Sequence, residues 1–204
     1  MKSKCIFLIL SVFLLMTHTV VFSQEKKKMT LKEREAAWRA ERLKKRAQEE
    51  RQILHNDSVE FAQAVNAIRN GSWALEASNI TFNNGATRFV TASTNFVSAN
   101  NGQGIVQTAF DNSNIDSPNG LGGITLEGRI TAGEIRRDNE GNIYYDYTIQ
   151  GADISATVSV VVTAGSNQAT ATVSPNFNSR QITMNGYIYP YANSGIIEGT
   201  PGYY

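Results

Sequence analysis

Apolar and polar residues alternate with a period of two along most of the chain beyond Trp73. The clearest alternating runs cover residues 124–132, 143–150, 154–162, 169–173 and 182–188. In each run one face is apolar and the other is rich in Thr and Ser, which is typical of antiparallel strands with one buried face. The spacing of the runs predicts a sheet of about nine strands.

Short turn sequences separate these runs. They are Asn83–Gly85, Asn100–Gly102, Asp138–Asn142 and Ala164–Asn167, all rich in the residues that hairpins need. Strands joined by such turns form an antiparallel meander. We therefore predict a mainly β fold that closes as a barrel or a strongly curved sheet, with an N-terminal helix docked against it. A β-sandwich is the alternative, because it also buries one face of every strand.

The segment ahead of the strands has a helical period. Thr30 and Glu33 form a capping-box pattern, and a stripe of mostly alanine residues follows. This pattern predicts a charged helical leader over residues 24–56, with a helix of about 25 residues. The leader is interpreted as a solvated spacer, or alternatively as a weak coiled coil or a basic arm.

A second helix is predicted to begin at Asp57, whose side chain can cap it. Its apolar face has helical spacing and consists of Phe61, Ala64, Val65 and Ile68. Asn70 and Gly71 supply the left-handed stop. This helix should dock on a β domain that spans residues 57–204.

The first 23 residues read as a secretory signal peptide. Two lysines precede the apolar run Ile6–Met16, which is too short to span a bilayer as a helix, and cleavage is expected near Ser23. We expect a protein exported to the periplasm or the cell exterior, without a transmembrane segment in the mature chain. An uncleaved membrane anchor is the alternative reading.

Charge and composition exclude several function classes. Residues 24–70 carry 12 Lys and Arg against 8 Asp and Glu, whereas residues 71–204 carry 5 Arg, no Lys and 10 acids. An acidic, lysine-free β region argues against nucleic-acid binding. The only cysteine is Cys5, and the only histidine beyond the signal peptide is His55, so no Cys/His metal site or cysteine nucleophile is expected. No cofactor is expected.

Several stretches resemble one family. They are Phe61-x-x-Ala64, Thr94–Val97, Pro118–Thr125 with Glu127-Gly128, Ile154–Val158 and Val173–Ser179. Over about residues 57–204 the chain resembles an uncharacterised domain-of-unknown-function family of exported proteins from Gram-negative gut anaerobes. The resemblance implies an exported domain with a short helix followed by antiparallel strands. It implies no activity, cofactor or catalytic residue.

The residues themselves offer little catalytic chemistry. Paired carboxylates could perform acid–base work, and the candidates are Glu127, Glu134, Asp146 and Asp153. Solvent-facing carboxylates paired with Arg129 or Arg136 are the simpler interpretation. We therefore predict no enzyme activity and no catalytic or metal site, and a hydrolase with paired carboxylates ranks third among the functions.

Tyrosines are the best candidates for ligand binding. Tyr145, Tyr147, Tyr187 and Tyr189 lie on two predicted strands and could form an aromatic floor for a small apolar or glycan ligand. Ordinary sheet packing is the alternative, since tyrosine favours strands. Small residues on the apolar faces would leave room for a cavity; they are Ala156, Ala169, Ala171, Gly128 and Gly186.

One modification site is predicted. Asp57-Ser58-Val59 matches a short pattern for O-glycosylation of exported bacterial proteins, with Ser58 as the acceptor.

Two main function classes follow from the whole sequence. The first is a binding module for a small apolar or glycan ligand, and the second is an envelope interaction or structural protein that uses its basic helical leader.

Overall fold

The computed structural model describes residues 29–110, 120–152, 155–176 and 180–200. Within these ranges, helix α1 (Leu31–Arg69) precedes nine strands and a short 3₁₀ turn, Tyr191–Asn193. The strands are β1 (Ser72–Phe82), β2 (Thr87–Phe89), β3 (Phe96–Asn100), β4 (Gln103–Ala109), β5 (Gly123–Arg137), β6 (Ile143–Gln150), β7 (Ser155–Val162), β8 (Gln168–Pro175) and β9 (Ile182–Pro190). The predicted signal peptide lies outside the described residues.

Eight strands close into an antiparallel barrel. The hydrogen-bonded order is β1-β3-β4-β5-β6-β7-β8-β9, and β9 pairs back onto β1 from Phe82↔Ile182 to Trp73↔Pro190. The predicted meander and barrel are therefore confirmed, and the described strands do not form a sandwich. The four predicted turns each connect consecutive strands.

Strand β1 pairs along both edges. One edge follows β9, while the other is divided between β3, which pairs with Ser72–Glu76, and β2, which pairs with Asn79–Thr81. Strand β2, which among the described strands pairs only with β1, is thus a short addition outside the closed ring of eight strands. A register shift between Ala77 and Asn79 lets β1 bend between its two partners.

The barrel interior is filled by the apolar face of the alternation. On β6 the side chains of Ile143, Tyr145, Tyr147 and Ile149 are buried, whereas the residues between them are partly exposed. The interior forms one hydrophobic cluster, which includes Trp73, Leu75, Ile80, Val97, Ile149, Val158, Val160, Met184 and Ile188. The period of two therefore marks the inner wall, as predicted.

The prediction of two helices is wrong, because α1 runs without a break from Leu31 to Arg69. Asp57 lies within the helix and does not cap it, and His55 is an exposed residue of the same helix. Gln52 Nε2 donates to Asn56 Oδ1 at 3.0 Å across the predicted break. A cap at Asp57 contributes about 1 kcal/mol. Interrupting the helix would leave several backbone hydrogen bonds unmade, so the continuous helix has the lower free energy.

The chain divides into two compact units, one ending at Gln48 and one from Glu49 to Tyr204. In the first, the predicted capping box is confirmed: the Thr30 backbone N–H donates to the Glu33 carboxylate at 2.8 Å, and Glu33 N–H donates to Thr30 Oγ1. In the second, the predicted docking face is confirmed. Its buried helical residues are Ala64, Val65, Ala67 and Ile68, with Phe61 partly buried.

Two glycines that were expected to leave room for a cavity do not. A Cβ at Gly186 would lie 1.9 Å from the carbonyl oxygen of Glu76 on β1, and one at Gly128 would lie 2.4 Å from the backbone of Gln150. Neighbouring backbone, not empty space, occupies these positions. The absence of a side chain at these glycines lets neighbouring strands approach closely in the tightly curved barrel wall.

The segment after β9 crosses the outside of β1, β3 and β4. Gln107, fully buried on the outer face, donates through Nε2 to the carbonyls of Thr94 and Ile197. Its Oε1 accepts from the Gly199 N–H at 2.7 Å and from the Thr125 hydroxyl. One side-chain amide therefore satisfies backbone groups that no strand partner reaches.

We predict that Gly186→Ala destabilises the domain by about 2 kcal/mol or more, because the new methyl group would collide with backbone that cannot move independently. The measurement is the free energy of unfolding in denaturant. Gly195→Ala is the control, since a Cβ there meets only Glu76 Oε1 at 3.7 Å. Equal stability of the two variants would contradict the close approach of β1 and β9.

Candidate functional site

Three aromatic side chains meet inside the barrel. The rings of Tyr145 and Tyr147 stack with centroids 4.7 Å apart, and Trp73 stands edge-on to both at 6.2 Å. We call Trp73, Tyr145 and Tyr147 the aromatic cluster. Its exposed fractions are 0% for Trp73, 2% for Tyr147 and 8% for Tyr145, so it belongs to the interior.

Local sequence explains how the cluster forms. Tyr145 and Tyr147 are two residues apart on β6, so both face the interior. Trp73 is the second residue of β1 and follows directly on the helix stop at Asn70-Gly71. The turn from α1 into β1 therefore fixes where the indole enters the barrel.

Two polar atoms of the cluster are buried without a hydrogen-bond partner in the described structure, namely Trp73 Nε1 and Tyr147 Oη. Leaving a buried donor or acceptor unpaired costs about 1–3 kcal/mol. Natural proteins seldom tolerate such groups without a purpose. Both of these atoms belong to the aromatic cluster, which makes the cluster the candidate site of the described interior.

Within the described residues, no charged side chain contributes to the pKa shifts of the two tyrosines of this cluster. Burial raises the pKa of Tyr147 well above its usual range, and the neighbouring Tyr145 adds to that rise. Burial alone raises the pKa of Tyr145. Both phenols therefore stay neutral at physiological pH, and the chemistry that the cluster can offer is hydrogen bonding and apolar contact.

The four predicted tyrosines do not form one floor. Tyr187 and Tyr189 flank Ile188, which faces the core with 1% exposure, so both lie on the outer face of β9. Tyr187 is 45% exposed. Thus only Tyr145 and Tyr147 come together, and Trp73, which the sequence interpretation missed, completes their group.

The candidate carboxylates do not converge either. Glu127 pairs with Ile105 of β4, whereas Asp146 lies opposite Glu134, seven residues further along β5. Asp146 forms an ion pair with Arg136 on the barrel surface. A hydrogen bond from Ser159 and the Arg136 guanidinium lower the pKa of Asp146. Asp153 lies outside the described residues.

Ser58 is exposed and lies within α1, so its modification stays a prediction. In the described ranges, no three His, Cys, Asp or Glu side chains come together in a group suited to hold a metal ion. The same part of the chain contains no helix that is both long and apolar enough to cross a membrane.

The sequence interpretation did not single out two residues, Trp73 of the aromatic cluster and Gln107 beneath the outer segment. Trp73 carries a usable signal, since a tryptophan at an inward strand position has an indole N–H that needs a partner when buried. Gln107 carries none, because its face is buried only by the segment near Ile197, 90 residues away.

Comparison with known proteins places the barrel in a family. A domain of unknown function, DUF4251, matches residues 55–188. Among solved structures, the crystal structure of a DUF4251 family protein from Bacteroides eggerthii shares 42% identity and a TM-score of 0.60. The match covers 69% of this chain and 94% of that chain. A search of curated proteins gives no match.

We predict that Tyr147→Phe stabilises the ligand-free domain by about 1 kcal/mol, because it removes a buried hydroxyl that has no partner. Tyr145→Phe is the matched control and should change stability by less than about 0.5 kcal/mol. Both values come from denaturant unfolding of protein freed of bound small molecules. A loss of stability in Tyr147→Phe would show that its hydroxyl is satisfied within the domain.

Proposed function

The chain belongs to the DUF4251 family, and we propose that its barrel is an exported, non-catalytic module that binds a small molecule beside the aromatic cluster. The observation that carries this proposal is the pair of unpartnered atoms, Trp73 Nε1 and Tyr147 Oη. A ligand that met both would recover the free energy their burial costs. The apolar surroundings would supply most of the affinity.

The wall of the barrel offers an approach to this cluster. Pairing of β5 with β4 ends at Arg129, whereas β5 continues beside β6 to Arg137. Ile135, opposite Tyr145, remains 41% exposed although it shares the face of that inward tyrosine. Ala132 has a left-handed φ of 53°, and the register shifts between Thr131 and Glu134. This irregular half of β5 supports a route from solvent to Tyr145.

Export of the protein is part of the proposal and rests on the N-terminal sequence. The signal-like segment 1–23 and the predicted cleavage near Ser23 support a periplasmic or extracellular location. A barrel in that compartment would meet small molecules outside the cytoplasm.

Native mass spectrometry of the protein purified gently from its host's envelope tests the proposal. We expect an added mass that disappears on denaturation. Tyr187→Phe, on the outer face, should keep that mass, whereas Tyr147→Phe should retain less than half of it. A bare polypeptide mass in the unmodified protein would overturn the proposal. An added mass that survives denaturation would instead indicate covalent modification, with Ser58 as the first site to check.

A second candidate function uses the leader. Every residue of α1 from Leu31 to Gln52 is exposed, and residues 31–48 carry 7 Lys and Arg against 3 Glu. Arg39, Arg42 and Arg46 have the spacing of one helical face. Exposed Trp38 and Leu43 add apolar contact. This surface suits an anionic envelope partner.

Sedimentation with vesicles that contain an anionic lipid tests this second function. The full chain should bind at low salt and be released as salt rises. Replacing Arg39, Arg42 and Arg46 by Gln should abolish binding. The control replaces Arg88, Arg129 and Arg137 by Gln, which lowers the net charge equally on the barrel. Equal binding by both triple variants, or none by the unmodified chain, would reject this function.

A further inference from the structure

The polar chemistry of the aromatic cluster restricts what can bind there. The indole Nε1 of Trp73 is a hydrogen-bond donor only, while the Tyr147 hydroxyl can donate or accept. A ligand must therefore present an acceptor atom to Trp73. A second polar group opposite Tyr147 can be either a donor or an acceptor.

The interior offers no counter-charge for an ion. No Asp, Glu, Lys or Arg side chain is among the buried residues of the described ranges. An ionised ligand group would thus be desolvated without a partner, at a cost of several kcal/mol. The causes of the raised pKa values of Tyr145 and Tyr147 include no cation, which agrees with an uncharged site.

A sugar fits the cluster poorly. A pyranose ring carries several hydroxyl groups, each of which needs a partner once water is removed. The cluster provides at most three polar atoms, the indole N–H and two tyrosine hydroxyls, and the core around it consists of aliphatic residues such as Ile149 and Val158. Of the two ligand classes that the sequence left open, the apolar one is therefore favoured.

We infer that the barrel takes an uncharged, mainly apolar molecule bearing a carbonyl oxygen, and that this oxygen accepts a hydrogen bond from Nε1 of Trp73. The inference rests on the proposed function and narrows its ligand class. Ketones, esters and amides all satisfy it. Carboxylates, amines and sugars do not.

Two compounds of matched shape test the inference on the full chain. Acetophenone has the carbonyl oxygen, and α-methylstyrene replaces it with a CH2 group. Titration calorimetry should show acetophenone binding about tenfold more tightly, the ratio expected for one buried hydrogen bond. In Trp73→Phe this preference should disappear, and Tyr147→Phe, which keeps the indole, should preserve most of it.

The indole N–H resonances give a second readout in a nitrogen–proton correlation spectrum. The chain has two tryptophans, the fully buried Trp73 and the 64% exposed Trp38. Acetophenone should move the Trp73 resonance and leave that of Trp38 in place. The exposed indole thus controls for nonspecific binding.

The outcomes distinguish a failure of the inferred ligand class from a failure of the proposed function. Equal affinity for the two compounds, with equal shifts at Trp73, would overturn the carbonyl inference while leaving a ligand-binding barrel. No shift at Trp73 with either compound at millimolar concentration would also overturn it. Native mass spectrometry of the protein purified from its host's envelope would then test the proposed function independently.

Discussion

The pairing of β1 along both edges is the constraint on which the rest of the domain depends. Because β9 returns to β1, the sheet has a closed interior and a defined inner face for every strand. Closure requires backbone to approach backbone where β1 bends, and Gly186 permits this beside Glu76. The same bend divides the second edge of β1 between β3 and β2. Curvature, closure and the position of Trp73 thus follow from one strand.

The aromatic cluster holds two buried polar atoms that oppose the stability of the fold. A core optimised only for stability would contain phenylalanine in place of Tyr147, since the unpaired hydroxyl opposes folding and the ring would be kept. Compensation for this cost comes from fully buried aliphatic residues on neighbouring strands, among them Val158, Val160 and Ile149.

Much of the fold could be predicted because a period of two is unambiguous when one face is buried. The number of helices could not be predicted as well, since a capping signal at Asp57 is local and weak beside continuous helical hydrogen bonding. For the site, alternation already separated Tyr187 and Tyr189 from the apolar positions around them, including Ile188. The prediction that all four tyrosines form one aromatic floor did not take that separation into account. Gln107 depends on contacts across the fold, which no local pattern encodes.

The outer segment after β9 is attached by separate hydrogen bonds instead of a strand ladder. Its Ile197 and Gly199 amide groups are held through Gln107 and Ser93, and Tyr191 donates to Glu198 within the same segment. This hydrogen bond to the Glu198 carboxylate raises the pKa of Tyr191 to about 12. A few such bonds can open together without disturbing the eight-stranded ring, so the segment forms its own cooperative opening unit. Amide hydrogen exchange should accordingly have two tiers, with the segment exchanging through sub-global opening and the barrel strands only through complete unfolding.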